Sequence, residues 1–210
     1  MIFYYYLMIA LMGYLFGCSN LAFFLGKAKG FDIRSHGSNN AGASNATVTM
    51  GLKVGILVGV HDIAKSCLAG LAAAYLFPEV GGAAAVAGVA AVIGHIFPFY
   101  LRFKGGKGFA SFIGVTLALD WRFFLAIIVV VALITLISDY IVPGTLTTII
   151  TFPVYLAITV TDGKWFTVAV VCVASLIILL KHLVNIKRLF TGEEIGLRRA
   201  MSKKDKINKQ

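Results

Sequence analysis

The chain has 210 residues, of which 59% are hydrophobic and only 13% are charged, with a mean hydropathy of +0.89. An ordinary soluble domain carries about 25% charged residues, so this composition excludes an ordinary soluble enzyme and indicates a protein that lies in a lipid bilayer. Residues 1–25 form an uncharged run without the basic start of a signal peptide, so we expect no cleavable leader. The formal net charge of +10 becomes informative about orientation only once the charged residues are assigned to individual loops.

Seven apolar runs follow one another along the chain, at 1–26, 47–78, 82–101, 109–119, 123–138, 140–161 and 165–180. A helix needs about 20 residues to cross the hydrocarbon core, and most of these runs approach that length. The run at 109–119 rises only about 17 Å as a helix, so it either spans or re-enters. We predict an all-α integral membrane protein with about seven transmembrane helices.

The positions of Lys and Arg predict the orientation of these helices. With seven spans, the segments 27–47, 102–108 and 139–144 lie on the same side as the basic tail, and that side holds most of the cations. The positive-inside rule places this side and the C-terminus in the cytoplasm and the N-terminus outside. We therefore expect one polytopic domain over 1–185, a basic cytoplasmic tail over 186–210, and an active site on the cytoplasmic face.

The first polar segment, residues 35–49, reads SHGSNNAGASNATVT. Hydroxyl and amide side chains beside glycines can bind phosphate or sugar hydroxyls through hydrogen bonds. The same composition also fits a solvated turn in which Asn45 or Thr47 caps the next helix. The residues alone leave both interpretations open.

The second polar segment, residues 94–108, reads GHIFPFYLRFKGGKG. Arg102, Lys104 and Lys107 alternate there with residues that lack a Cβ atom, so backbone amides can approach an anion closely. The loop is a candidate phosphate site. The alternative is a basic interfacial loop that only orients the protein in the membrane.

Two pairs of polar residues share a helix face at i, i+3 spacing. Asp62 and Lys65 fall inside an apolar run, where ionisable side chains are costly, and we expect them to form a supporting ion pair. His182 and Asn185 follow the last run, where they are suited to hold a substrate hydroxyl and polarise a carbonyl. Alternatively, they lie on an interfacial helix that only meets anionic lipids.

Other chemistries lack their motifs in this chain. GGKG has neither the spacing nor the following Ser or Thr of a Walker loop, and no Gly-x-Ser-x-Gly elbow is present. The three cysteines, Cys18, Cys67 and Cys172, are far apart in apolar runs. We therefore expect no metal site and no disulfide framework.

In combination, these motifs resemble the bacterial acyl-phosphate:glycerol-3-phosphate acyltransferases, the PlsY family. The resemblance rests on GSNNAGASN at 37–45, DIAK at 62–65, GHIFPFYLRFKGGKGFAS at 94–111 and HLVNIKRLFTGEE at 182–194. It implies a multi-pass enzyme of the bacterial cytoplasmic (inner) membrane that transfers an acyl group from acyl phosphate to the 1-hydroxyl of glycerol 3-phosphate, giving lysophosphatidic acid. It implies no cofactor, no metal, no nucleic acid and no obligate protein partner, so the expected partners are the two substrates and membrane lipids.

The resemblance also implies roles for single residues. His182 and Asn185 are the expected catalytic pair, which orients the glycerol hydroxyls, and a substrate phosphate is expected to accept the hydroxyl proton. The amides of the GGKG glycines are expected to cradle a phosphate. The expected substrate-binding residues are Ser38, Asn40, Gly42, Asn45, Lys104, Gly105, Gly106, Lys107 and Gly108. The expected supporting residues are Asp62, Lys65, His95 and Thr145.

Some positions depart from the family pattern. The family commonly has an arginine three residues after Asn45, where this chain has Val48, and it commonly has a glycine and a threonine in place of Asn39 and Ser44. A paralogue that acylates a different acceptor is therefore one alternative. A transporter or flippase for a phosphorylated solute is a second, although no internal repeat supports it, and a lipid-binding scaffold is a third.

Overall fold

The computed structural model describes residues 2–161 and 163–202, and this part of the chain is built of α-helices. In chain order they are α1 (Ile2–Cys18), α2 (Leu21–Ala28), α3 (Ala43–Met50), α4 (Leu52–Leu76), α5 (Ala83–Ile96), α6 (Phe109–Leu119), α7 (Trp121–Ser138), α8 (Ile141–Thr159), α9 (Lys164–Phe190) and α10 (Leu197–Ser202). Two short 3-10 turns, Ile33–Ser35 and Phe99–Leu101, lie in the connections.

Six stretches of the described chain are long and apolar enough to cross a membrane: Ile2–Ala28, Leu52–Leu76, Ala83–Leu101, Trp121–Ser138, Ile141–Thr159 and Lys164–Phe190. The run at 109–119 forms α6, whose 11 residues are fewer than a full span needs. The all-helical membrane architecture is as predicted from composition. The count of seven spans and the orientation remain predictions.

Two of the predicted runs are interrupted by specific residues. Between α1 and α2, the Asn20 side chain accepts a hydrogen bond from the Phe23 amide (2.9 Å) and donates one to the Ala41 carbonyl (3.1 Å). Asn20 therefore caps a new helix and ties it to the 35–42 loop. Between α3 and α4, Gly51 has a φ of 94°, a conformation that favours glycine.

Helix α1 packs closely on α5 through small residues. A Cβ atom added to Gly13 would lie 2.2 Å from the Ala87 carbonyl oxygen, and one added to Gly17 would lie 2.0 Å from the Ala91 carbonyl oxygen. Small residues four apart let two membrane helices bring their backbones together and gain van der Waals contact. Helix α5 is thereby held against α1 along one side.

Helix α5 lies at the centre of the bundle. The stretch Ala83–Leu101, which contains α5, is the most buried of the candidate spans, with 67% of its membrane-crossing part buried. Its other side joins a core shared with α6, α8 and α9, in which the rings of Phe112 and Phe152 are fully buried and meet edge to face at 5.8 Å. The C-terminal end of α5, which carries His95, therefore packs against α1 on one side and against this core on the other.

Helix α9 extends well past the apolar run that ends at residue 180, so His182 and Asn185 lie within its last three turns. The chain then turns back. The Leu197 amide donates to the Asp139 carbonyl (2.8 Å) and the Arg198 amide donates to Asp139 Oδ1 (2.8 Å). We call residues 193–199 the C-terminal strap, because they cross from the end of α9 to the turn between α7 and α8.

Gly17→Ala tests the close packing of α1 on α5. The added methyl forces the two helices apart, and such overpacking costs about 1–3 kcal/mol, or roughly 2–4 °C of Tm per kcal/mol for a protein of this size. Thermal unfolding in detergent, followed by near-ultraviolet circular dichroism, measures the loss.

Gly59→Ala, in α4, is the matched control for this substitution. Its Cβ would meet only the Ala43 Cβ at 3.6 Å, an ordinary van der Waals contact. We expect no loss of Tm from this change. Equal losses from the two substitutions would contradict the helix packing described above.

Candidate active site

A cavity of about 430 Å³ opens where the 35–42 loop, the GGKG loop and the end of α9 meet. Its polar lining comes mainly from these three segments and from the C-terminal strap, and includes Ser38, Asn40, Lys107, His182, Asn185 and Glu194. Its apolar lining comes from α4, α6 and α7, and includes Ile56, Ile63, Ile113, Ile128 and Val131. One cavity thus offers partners for both the polar and the apolar part of an amphipathic molecule.

The GGKG loop is fixed by hydrogen bonds to the end of α5. The Gly105 amide donates to the Ile96 carbonyl and the Gly106 amide donates to the His95 carbonyl, each at 3.0 Å. These carbonyls lie in the last turn of α5, where no helical partner is available. The loop therefore completes the C-terminus of α5, and its last residue, Gly108, lies at the N-cap of α6 with a φ of 94°.

This geometry corrects the predicted phosphate cradle. The amides of Gly105 and Gly106 bind helix carbonyls, so they cannot also bind a phosphate, and of the three glycines only Gly108 lines the cavity. The Lys104 side chain is exposed and lies outside the cavity. Lys107 alone brings the charge of this loop into the site.

Lys107 is held in the cavity by Asn185 and Glu194. Lys107 Nζ donates to Asn185 Oδ1, and Asn185 Nδ2 donates to Glu194 Oε1 at 2.7 Å. Burial lowers the pKa of Lys107 below its ordinary value, the Glu194 carboxylate opposes this shift, and Arg188 adds to it. The strap thus supplies a carboxylate that favours the charged form of this half-buried ammonium.

His182 lies one turn before Asn185 and faces the same cavity. Its Nδ1 lies 2.8 Å from the Ile178 carbonyl oxygen, which can only accept a hydrogen bond, so Nδ1 carries the proton. The neutral ring therefore keeps its lone pair on Nε2. A side chain in this tautomer can accept a hydrogen bond from a substrate hydroxyl.

The predicted ion pair of Asp62 and Lys65 forms, with Lys65 Nζ 2.8 Å from Asp62 Oδ1. Both side chains are buried, and His95 joins them, with Nδ1 3.3 Å from Asp62 Oδ1 and 2.9 Å from Lys65 Nζ. Lys65 also donates to the Ser19 carbonyl at 2.6 Å. This cluster fixes the His95 ring, on which Gly106 rests.

Asn45 has a different place from the one predicted. Its amide nitrogen donates to the carbonyls of Ile33 (3.0 Å), His36 (2.9 Å) and Asn40 (2.8 Å), and its Oδ1 accepts from the Ser38 amide (2.8 Å). Asn45 is fully buried and does not line the cavity, so it organises the 35–42 loop rather than facing a substrate.

Six other predicted residues also line the cavity, namely Ser38, Asn40, Gly42, Asp62, His95 and Thr145. Thr145 is buried and its hydroxyl donates to the Ile141 carbonyl at 3.2 Å. Val48, where the family pattern has an arginine, also lines it. The departure from the family pattern therefore falls within the site itself.

Sequence reasoning missed the strap and Asp139. The strap can approach Asp139 because Gly196 has no side chain: a Cβ there would lie 2.0 Å from Asp139 Oδ2. Glu194, Ile195, Gly196 and Leu197 all line the cavity. The available signal was the isolated GEEIG sequence after a long helix, which is polar and flexible enough to turn back.

The fold and the site together define a polytopic helical membrane protein with a half-buried lysine, a histidine and an amide in an amphipathic cavity. A family model described as glycerol-3-phosphate acyltransferase matches residues 7–192 of this chain. The chain is 35% identical to glycerol-3-phosphate acyltransferase 1 of Oceanobacillus iheyensis, over 95% of this chain and 99% of that protein. It is 36% identical to the glycerol-3-phosphate acyltransferase of Thermoanaerobacter pseudethanolicus, over 92% and 96% of the two chains.

Solved structures give the same result. The chain is similar to the crystal structure of PlsY (YgiH), an integral membrane glycerol 3-phosphate acyltransferase, in its glycerol 3-phosphate form, with a TM-score of 0.84 and 31% identity over 91% of this chain and 95% of that one. The lysophosphatidic acid form of PlsY matches with a TM-score of 0.81 and 30% identity, over 93% and 98% of the two chains. The chain belongs to the glycerol-3-phosphate acyltransferase family, which confirms the resemblance drawn from its motifs.

Gly106→Ala tests the contact between the GGKG loop and the His95 ring. The added Cβ would lie 1.9 Å from His95 Nε2, and the His95 ring cannot yield because Asp62 and Lys65 hold it. We expect a lower Tm and a loss of acyl transfer. Circular dichroism and the transfer assay described below measure the two effects.

Gly81→Ala is the matched control, since nothing lies within 4 Å of the added Cβ. It should leave both Tm and transfer near the wild-type values. A Gly106→Ala protein with wild-type stability and activity would contradict the close contact between Gly106 and the His95 ring.

Proposed function

We propose that this protein transfers a fatty acyl group from acyl phosphate to the 1-hydroxyl of glycerol 3-phosphate, and so forms lysophosphatidic acid. The observation that carries the proposal is the meeting of Lys107, His182 and Asn185 in a cavity that also has an apolar wall. Family membership supports the same activity. A transporter or a scaffold would not need these three side chains in one cavity.

Acyl phosphate is a mixed anhydride with a good leaving group, so the reaction needs placement and charge stabilisation more than a strong nucleophile. The 1-hydroxyl oxygen attacks the acyl carbon and forms the new ester bond, and the bond from that carbon to the bridging phosphate oxygen breaks. The hydroxyl proton passes to the departing phosphate, which is a sufficient base.

Each residue of the site has a proposed role in this scheme. Lys107 binds a substrate phosphate through a charge-assisted hydrogen bond, and His182 Nε2 accepts from a glycerol hydroxyl and orients it. Asn185 positions Lys107, since both ends of its amide are engaged by Lys107 and Glu194. The isoleucines of α4, α6 and α7 provide apolar contact for the acyl chain.

We also propose that the site faces the cytoplasm of a bacterial cell, with the N-terminus outside and α6 completing a seventh pass. The clustering of Lys and Arg in residues 27–34, 102–107 and 187–199 supports this orientation.

The proposal is tested with purified protein in lipid vesicles, palmitoyl phosphate and glycerol 3-phosphate, with lysophosphatidic acid as the scored product. A hydrogen bond to a charged group is worth about 1.5–3 kcal/mol, so Lys107→Gln should lower kcat/KM by roughly 10- to 150-fold.

Lys53→Gln removes an exposed cation of α4 that does not line the cavity, and it should transfer at the wild-type rate. Product formation that survives Lys107→Gln unchanged would contradict the site. A wild-type protein that acylates another polyol phosphate but not glycerol 3-phosphate would identify a paralogue and make Val48 the first position to examine.

The charge of Lys107 should also set the alkaline limit of activity. Because the Glu194 carboxylate raises the pKa of Lys107, Glu194→Gln removes that support and lowers the pKa further, while its amide oxygen still accepts from Asn185. Lys107 then loses its proton at a lower pH. The alkaline limb of the profile of kcat/KM against pH should move to lower pH.

Two variants complete this measurement. Arg188 lowers the pKa of Lys107, so Arg188→Gln should move the alkaline limb to higher pH. Glu193→Gln removes a neighbouring exposed carboxylate that does not line the cavity and should leave the limb in place. A shift in the same direction for all three variants would show that Lys107 does not set this limb.

A further inference from the structure

A second, shallower pocket of about 300 Å³ lies beside the GGKG loop and shares no lining residue with the active-site cavity. It is lined by Asp32, Arg34, Ser35, Leu101, Arg102 and Lys104. Two of the cations that made 94–108 a candidate phosphate site therefore belong to this pocket and not to the catalytic one.

The pocket carries two uncompensated positive charges. Arg34 donates to both carboxylate oxygens of Asp32, at 3.0 and 2.8 Å, and this contact lowers the pKa of Asp32 to about 2, so the pair is ionised and neutral overall. Arg102 and Lys104 are exposed, and neither makes an ion pair within residues 2–161 and 163–202. An anion is the ligand that this charge favours.

Arg34 also fixes the loop that presents these cations. Its Nη1 donates to the Leu101 carbonyl at 2.8 Å and to the Lys104 carbonyl at 3.3 Å. Between these two carbonyls, Arg102 and Phe103 both have a left-handed backbone, with φ of 55° and 58°. Such a conformation costs energy in residues other than glycine and persists only where its surroundings hold it. The pocket is therefore built in advance of any ligand.

The pocket lies at the level where candidate spans end. Ile2–Ala28 and Ala83–Leu101 both stop beside it. Phe99 and Phe103 flank it and are 55% and 59% exposed, while Tyr100 stacks on Phe24 at 5.9 Å. Exposed aromatic rings beside cations are typical of the membrane–water interface, where phospholipid headgroups lie.

We propose that this pocket binds the phosphate group of an anionic phospholipid, with Arg102 and Lys104 as its ligands and the lipid chains alongside Phe99 and Phe103. A free phosphate ion would make no contact with the exposed rings of Phe99 and Phe103, whereas a phospholipid would. The site would keep the loop that leads to Lys107 in contact with the lipid surface on which acyl transfer takes place.

Native mass spectrometry of the full-length protein, titrated with phosphatidylglycerol in detergent, tests this proposal. Each cation near an anionic headgroup contributes about fivefold in affinity, so the double variant Arg102→Gln/Lys104→Gln should weaken lipid binding roughly thirtyfold. The charge-preserving variant Arg102→Lys/Lys104→Arg should bind within a few-fold of wild type. Equal Tm values for the three proteins show that folding is intact.

The control variant is Lys53→Gln/Lys187→Gln, which removes the same charge from exposed positions outside the pocket. It should retain wild-type lipid binding. Equal weakening by the two glutamine variants would overturn the proposal, because it would show a diffuse attraction to the basic surface. Displacement of the lipid by inorganic phosphate at matching concentrations would also overturn it, because the site would then prefer a free anion.

Discussion

The site depends on the contact between the GGKG loop and the last turn of α5. Gly105 and Gly106 donate to the carbonyls that end α5, and the His95 ring lies where any side chain at residue 106 would be. The stretch that contains α5 is the most buried of the candidate spans, and His95 is held by Asp62 and Lys65. The GGKG loop is therefore attached to a rigid part of the protein core. Lys107, the next residue, is thereby aimed into the cavity. The glycines serve chain packing, and the lysine side chain lines the cavity.

Within residues 2–161 and 163–202, Lys107 is the one lysine or arginine that lines this cavity. Lys107 is positioned by Asn185 from α9 and supported by Glu194 from the strap, so two distant parts of the chain determine whether the ammonium stays charged and where it points. Val48 lines the same cavity at the position where the family commonly has an arginine. In the proposed function, an apolar residue at this position makes the substrate phosphate depend more on Lys107, and therefore on the strap that supports Lys107.

Apolar runs predicted the helices, and the i, i+3 spacing predicted that His182 and Asn185 share a helix face. The resemblance to the PlsY family implied that Lys107 joins them in one site. The sequence did not predict which amides and side chains of the loops face the cavity and which bind other parts of the protein or lie on the surface. Gly105 and Gly106 turned to helix carbonyls, Asn45 turned to three loop carbonyls, and Lys104 turned to the surface. Each outcome depends on which distant backbone groups lack partners, and that is decided only when the helices pack. The strap was missed for the same reason, since its anchor, Asp139, is remote in sequence.

The most direct test of this account is the position of the phosphorus atom in the protein bound to glycerol 3-phosphate, determined by crystallography or electron cryomicroscopy. The account predicts phosphate density in the cavity, in contact with Lys107 Nζ and near His182. Density instead at Arg102 and Lys104, with the cavity free of substrate, would contradict it, because the basic surface pocket would then be the acceptor site and the role assigned to Lys107 would be wrong.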